Sequence, residues 1–172
     1  RETTHDGARR QLEDWLWLRE NPSRALLIGY CNTASELFLD GARVGEAGDP
    51  QRASVYRVEL GDGPHALAIR AAYRTYPYWV YAALVTRDGV VATGRDWRFA
   101  IDPDDAWMAP DFDDSGWPEV GGPEFGKGPP EEPYIWLEPL AFVGALSAGR
   151  GIWVSAEWPD RSRPAVFRRA FR

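Results

Sequence analysis

Few side chains in this sequence have the types and spacing that bond-breaking chemistry needs. The two histidines, His5 and His65, stand far apart. His65 follows the turn-like Gly61-Asp62-Gly63-Pro64 and opens an apolar run, so it reads as a surface or strand-end residue rather than a base. The single cysteine, Cys31, sits in the apolar run ALLIGYCN and reads as a buried, inert thiol. One cysteine excludes an intramolecular disulfide, a thiolate metal cluster and a haem-attachment motif. There is no G-x-S-x-G elbow, P-loop, H-E-x-x-H or glycine-rich dinucleotide fingerprint. The expectation is that the chain is not an enzyme.

Acids come in adjacent pairs: Asp104-Asp105, Asp113-Asp114 and Glu131-Glu132. A glycosidase needs two carboxyls about 5 to 10 Å apart across a sugar, one of them in an apolar pocket. Adjacent acids in Pro/Gly-rich stretches more often hold turns, because Asp hydrogen-bonds its own backbone. A weaker reading is a structural Ca²⁺ held by Asp102, Asp104 and Asp105, or by Asp111, Asp113 and Asp114, since hard cations want clustered oxygens. EF-hand spacing is absent, and no other cofactor is expected.

The best binding candidate is the aromatic run Tyr73, Tyr76, Tyr78, Trp79 and Tyr81, with Arg74 among them. Sugar rings present flat C–H faces that stack on exposed Tyr or Trp, while Arg or acids bond the hydroxyls. The competing reading is packing, since a strand divides such residues between its two faces. Exposed aromatics with Arg would equally suit a protein surface.

The elements that must position these residues are short and β-like. At 172 residues, 44% hydrophobic and with nine Trp, the chain is large enough for a core and too apolar for disorder. Seventeen Gly and fourteen Pro between short runs favour an all-β fold. SELFLDGARVG, Ser35 to Gly45, reads as two strands around an Asp40-Gly41 type I′ turn. SVYRVEL alternates along Ser54 to Leu60, and HALAIRAAY places His65, Leu67, Ile69, Ala71 and Tyr73 on one face. Further strands are expected over 78–86, 90–93 and 97–101. Residues 5–20 fit either an amphipathic helix or, with Trp15 and Trp17 alternating with Leu16 and Leu18, a strand. A strand from about Leu12 is the reading taken here.

Net charge is -6, which argues against nucleic acid as a partner, whose phosphates need a basic face. Five of the 20 basic residues crowd between Arg161 and Arg172, where there is no acid. Such an end on an acidic body suits contact with protein. No apolar run reaches the roughly 18 residues of a membrane span. A start at Arg1 rather than Met, with no signal peptide, is the pattern of a processed chain and points to an extracellular or periplasmic setting.

The hairpin resembles the "x-L-x-L-N-G-x-x-V-G" element of galactose-binding-like, jelly-roll β-sandwich modules attached to glycoside hydrolases, such as the accessory domains of family 2 and of α-L-rhamnosidase-type enzymes. His65 and the strand after it are similar to "L-x-x-G-x-N-x-L-A-V-x-V", with His where that pattern often has Asn. DPDDAWMAPDFDDSGW resembles "D-x-x-W … F-D-D-S-x-W", in which Trp107 and Trp117 would pack the turn onto the end of the sandwich. The resemblance implies an all-β, antiparallel jelly-roll sandwich that binds carbohydrate or supports a neighbouring domain.

Three regions are expected: a sandwich core over 1–120, a Gly/Pro-rich linker and apolar extension over 121–151, and a terminal strand segment over 152–172. The last resembles the family's "W-I-W … F-R-R-x-F" opening strand, displaced to the end, with Phe167 and Phe171 on one face, Arg169 between them and Arg168 opposite. It could fold back into its own sandwich, belong to a longer protein, or complete a neighbouring copy. Two functions compete. One is a non-catalytic carbohydrate-binding module of an exported protein. The other is a structural subunit whose Phe167–Phe171 strand is passed to further copies, building a filament.

Overall fold

The computed structural model describes residues 4–49, 52–72, 80–120 and 163–172. The chain begins with helix α1 (Thr4–Glu20), followed by strands β1 (Arg24–Cys31), β2 (Ser35–Leu39), β3 (Ala42–Ala47), β4 (Ser54–Glu59), β5 (His65–Ala71), β6 (Val80–Thr86), β7 (Val90–Ala92) and β8 (Arg98–Ile101). A 3-10 turn (Asp105–Met108) and strand β9 (Ala165–Phe171) complete the described elements. The strands form two antiparallel sheets, one of four strands in the order β4-β1-β6-β7 and one of five in the order β3-β2-β5-β9-β8. The fold is thus the expected all-β sandwich.

Period-2 alternation assigns each strand residue to a layer. Ala25, Leu27 and Cys31 of β1 and Val80, Ala82 and Leu84 of β6 face Leu37, Leu39, Leu67, Ile69 and Phe167 of the other sheet, closing the central core over Trp97. The alternate residues Leu26, Ile28, Tyr30, Tyr81, Ala83 and Val85 point outward from the four-stranded sheet and form a second core with Leu18. Outward from the five-stranded sheet, Phe38, Ala68 and Val166 gather beneath Trp107. The molecule is therefore a sandwich with a cover on each face.

Helix α1 overturns the expectation of a strand from Leu12. Gln11, Trp15 and Leu18, spaced four and three apart, share one helical face, and Gln11 and Leu18 are buried. Trp15 and Trp17 both pack against the outer core of the four-stranded sheet, which a single edge strand could not cover. Strong helix formers fill the segment, and Asn21-Pro22 stops it.

The hairpin forms as its sequence requires. Asp40 and Gly41 have φ of 51° and 85°, the positive pair of a type I′ turn. The last glycine of the motif has a different reason. A Cβ on Gly45 would lie 2.2 Å from Cζ of Tyr56, whose ring crosses from β4 onto the edge of β3. The Tyr56 hydroxyl donates to the Glu46 carbonyl at 2.6 Å and accepts from the Glu46 N–H at 2.9 Å, tying the sheets at that corner.

Strand β9 lies inside its own five-stranded sheet, between β5 and β8, with Ala71 opposite Ala165 and His65 opposite Phe171. Phe167 is fully buried in the central core. Arg169 reaches across it to the Ala92 carbonyl (3.4 Å) and to Asp96 (2.9 Å).

Candidate functional site

The strand registers leave a groove at one end of the sandwich, where β1 runs out at Cys31 and β2 and β5 meet at Ser35 and Ala71. It encloses about 760 Å³. Asn32, Thr33 and Ala34, the link from one sheet to the other, form one wall. Gly48 and Asp49 beyond β3, Ser54 at the start of β4, and Pro164 ahead of β9 form the rest. The floor is locked by backbone: the Ala72 N–H donates to the Ala34 carbonyl at 2.9 Å, and the Thr33 hydroxyl donates to the Ala72 carbonyl. The Ser35 hydroxyl donates to the Thr33 carbonyl at 3.0 Å.

Charge enters from the outward positions of β2, β3 and β5. Glu36 is in register with Glu46 on one side and Arg70 on the other. Arg70 lies 3.9 Å from Glu36, with its guanidinium 5.6 Å above the Trp107 ring and 6.0 Å from that of Phe38. Arg43 donates to Glu36 at 2.8 Å and also bonds Glu46. That bond to Glu36 raises the pKa of the Arg43 guanidinium further. The groove therefore offers carboxylates, the Asn32 amide and an arginine within cation–π reach of two aromatic rings.

Of the residues expected to bind a ligand, Tyr73, Arg74, Tyr76, Tyr78 and Trp79 lie outside the described residues. Tyr81 does not face a ligand: it is 3% exposed, buried beneath α1 in the outer core of the four-stranded sheet. The run nevertheless begins after Ala72, which lines the groove, and ends before Val80, which opens β6 opposite Cys31. Both attachment points belong to the groove end of the sandwich.

The assembly residues are packed within the chain itself. Arg168 is 1% exposed and bonds Asp114, while donating to the carbonyls of Ala109 at 2.8 Å and Pro110 at 3.3 Å. Trp107 and Trp117 pack on the outer face of the five-stranded sheet, not on the end of the sandwich as the resemblance implied.

The candidates for catalysis and metal binding are occupied otherwise. His65 is a strand-end residue, but a buried one. Its ring nitrogens lie 2.7 Å from Asp40 Oδ2 and 3.0 Å from the Gly61 carbonyl. Asp40 also accepts from the Ala66 N–H at 2.8 Å, so the pair locks the hairpin turn to β5. Burial pushes the Cys31 thiol up to about 11. Asp102 pairs with Arg163 at 3.0 Å. Bonds from the side chain and backbone of Ser115 hold the Asp113 carboxyl below its usual range, as expected of a turn residue. Among the described residues, no three His, Cys, Asp or Glu side chains converge as metal ligands, and no helix is long and apolar enough to cross a membrane.

A second groove, of about 670 Å³, opens at the opposite end among Gly61, Asp62, His65, Asp88 and Phe171. Sequence reasoning passed over Glu36, Glu46 and Arg70 because none stands at a specified motif position: Glu36 and Arg70 fill unspecified ones, and Glu46 follows the hairpin motif. Their signal lay in the strand alternation and in the hairpin register, which places Glu36 opposite Glu46.

No protein-family model matches the sequence, and no curated protein matches it. Among solved structures, the chain is similar to a lectin from Pleurotus ostreatus, solved in complex with GalNAc, at 20% identity and a TM-score of 0.50. The match covers 56% of this chain and 31% of the lectin chain. The likeness is one of fold: both share an antiparallel β-sandwich.

Proposed function

We propose that the protein is a non-catalytic carbohydrate-binding module that takes its ligand in the groove between Thr33, Asp49 and Arg70. The observation that carries this reading is the convergence at one end of the sandwich of a groove walled by polar groups and the two attachment points of YRTYPYW. Tyr73, Tyr76, Tyr78 and Trp79 supply rings for the flat faces of a sugar, and the groove supplies partners for its hydroxyls. The sandwich fold shared with a lectin solved in complex with GalNAc supports the same reading. So does the structural use of His65 and Cys31: His65 braces a turn and Cys31 is a buried thiol.

The test is calorimetric titration of the intact chain with oligosaccharides chosen from a glycan array, beside Tyr76→Ala and Trp79→Ala. Stacking contacts of this kind are worth about 1 kcal/mol or more, so each variant should weaken binding about fivefold or more without changing the melting temperature. Binding that ignores both variants and Arg70→Ala would place the ligand elsewhere and sink the proposal.

A further inference from the structure

We propose that the Tyr56 hydroxyl keeps the edge of β3 closed to strand pairing, and that the partner it holds off is the β3 edge of a second copy of this chain. Strand β3 borders the five-stranded sheet, and a border strand presents N–H and C=O groups to any extended chain that meets it. At the opposite border the chain closes β8 itself: Arg98 bridges to Glu119, and the Phe99 N–H donates to the Pro118 carbonyl at 3.1 Å. At β3 a side chain does the closing. Tyr56 reaches over from β4, the border of the other sheet, and its hydroxyl takes both backbone groups of Glu46. Those are the two bonds that an added antiparallel strand would make with that residue. Gly45 leaves room for the ring, which a Cβ there would strike.

The residues beside this cap match a second copy. Ala42 pairs with Leu39 across the two-residue turn, so Arg43 turns its backbone outward, and the register shift between Leu37 and Phe38 gives Glu46 the same outward setting. Their side chains share a face, because Arg43 bonds both Glu36, at 2.8 Å, and Glu46. Both are accessible, Arg43 at 46% and Glu46 at 71%. In an antiparallel pair of β3 strands turned about a two-fold axis between Val44 and Gly45, Arg43 of each copy stands opposite Glu46 of the other. Opposite charges then meet twice, as a self-complementary contact requires. Charge and register favour the pair, and Tyr56 occupies the bonds that would complete it.

The experiment is analytical ultracentrifugation, over a range of concentrations, of the native chain, Tyr56→Phe, and Tyr56→Phe combined with Glu46→Pro. Phenylalanine keeps the ring and deletes the hydroxyl. Proline at 46 deletes the outward N–H without removing a bond to β2. Tyr56→Phe should dimerise at least about tenfold more tightly than the native chain, because two backbone groups no longer have to be freed first. The double variant should return to the native behaviour. Hydrogen exchange reads the cap in the folded native chain, where the Glu46 amide should be protected relative to that of Arg43. Three results each overturn the inference: Tyr56→Phe sedimenting as the native chain does, association that survives Glu46→Pro, or a native Glu46 amide that exchanges as fast as Arg43.

Discussion

Helix α1 covers the outer face of the four-stranded sheet, whereas residues 104–117, with one 3-10 turn, cover that of the five-stranded sheet. A helix satisfies its own backbone, so it needs only side chains to dock. Here Leu18 enters the core, and the guanidinium groups of Arg24 and Arg57 lie 4.9 and 5.2 Å from the centre of the Trp17 ring. A loop brings carbonyls that lack a helix's regular partners. Arg168 adds to what the loop supplies itself, donating to Pro110 and to Ala109, whose carbonyl also accepts from the Phe112 N–H, while pairing with Asp114 against the Phe112 ring. The same layer of covering is thus achieved by apolar burial on one side and by a buried charge on the other.

If that contrast is right, the largest effect should come from Arg168. Arg168→Ala leaves Asp114, among the described residues, with only Arg98 at 3.7 Å and takes the side-chain donor from the Pro110 carbonyl, and should cost about 3 kcal/mol in urea unfolding. An equal effect from Arg57→Ala, which breaks a half-exposed pair with Asp14 and a cation–π contact with Trp17, would erase the distinction between the faces. On the helical side Leu18→Ala should cost about 3 kcal/mol, from lost burial and the cavity left behind. It should also raise hydrogen exchange in α1 more than around Trp107, if the covers open separately.

The core between the faces supplies a pH test through Cys31. Its folded pKa is raised from 9.0 to about 11, so the stability tied to the neutral thiol is complete below pH 9 and is lost as pH rises toward 11. The loss should reach about 3 kcal/mol, read as a steeper fall in unfolding free energy for the native chain than for Cys31→Ala over that range. The smallest effect should come from Leu12→Ser and Leu16→Ser. These positions are 60% and 57% exposed on the outside of α1, and each change should stay within about 0.5 kcal/mol in thermal unfolding.

The part of the fold that could be read in advance was the part written in local rules. Asp40-Gly41 announced its turn through the φ it needs, β4 and β5 showed their alternation directly, and β1 showed a continuous apolar run. Helix α1 was misread because Trp-Leu-Trp-Leu satisfies two periods at once, and only the uncovered face of Leu26, Ile28 and Val85 decides between them. The groove was not legible in the aromatic run: Tyr81 belongs to the core, and Tyr73 to Trp79 lie outside the described residues. Glu36 and Arg70 stand far apart in sequence, and they meet only because β2 and β5 pair in a particular register.

The sequence by itself determined the strands, their turns and the acidic, catalytically sparse character of the chain, since propensity, alternation and composition act over a few residues. Tertiary structure alone decided the place of Phe167 to Phe171 between β5 and β8, the burial of Arg168, and the joining of Glu36, Glu46 and Arg70 at one groove. Those outcomes depend on which strands pair, and pairing is a competition for buried area and backbone partners that no single segment settles.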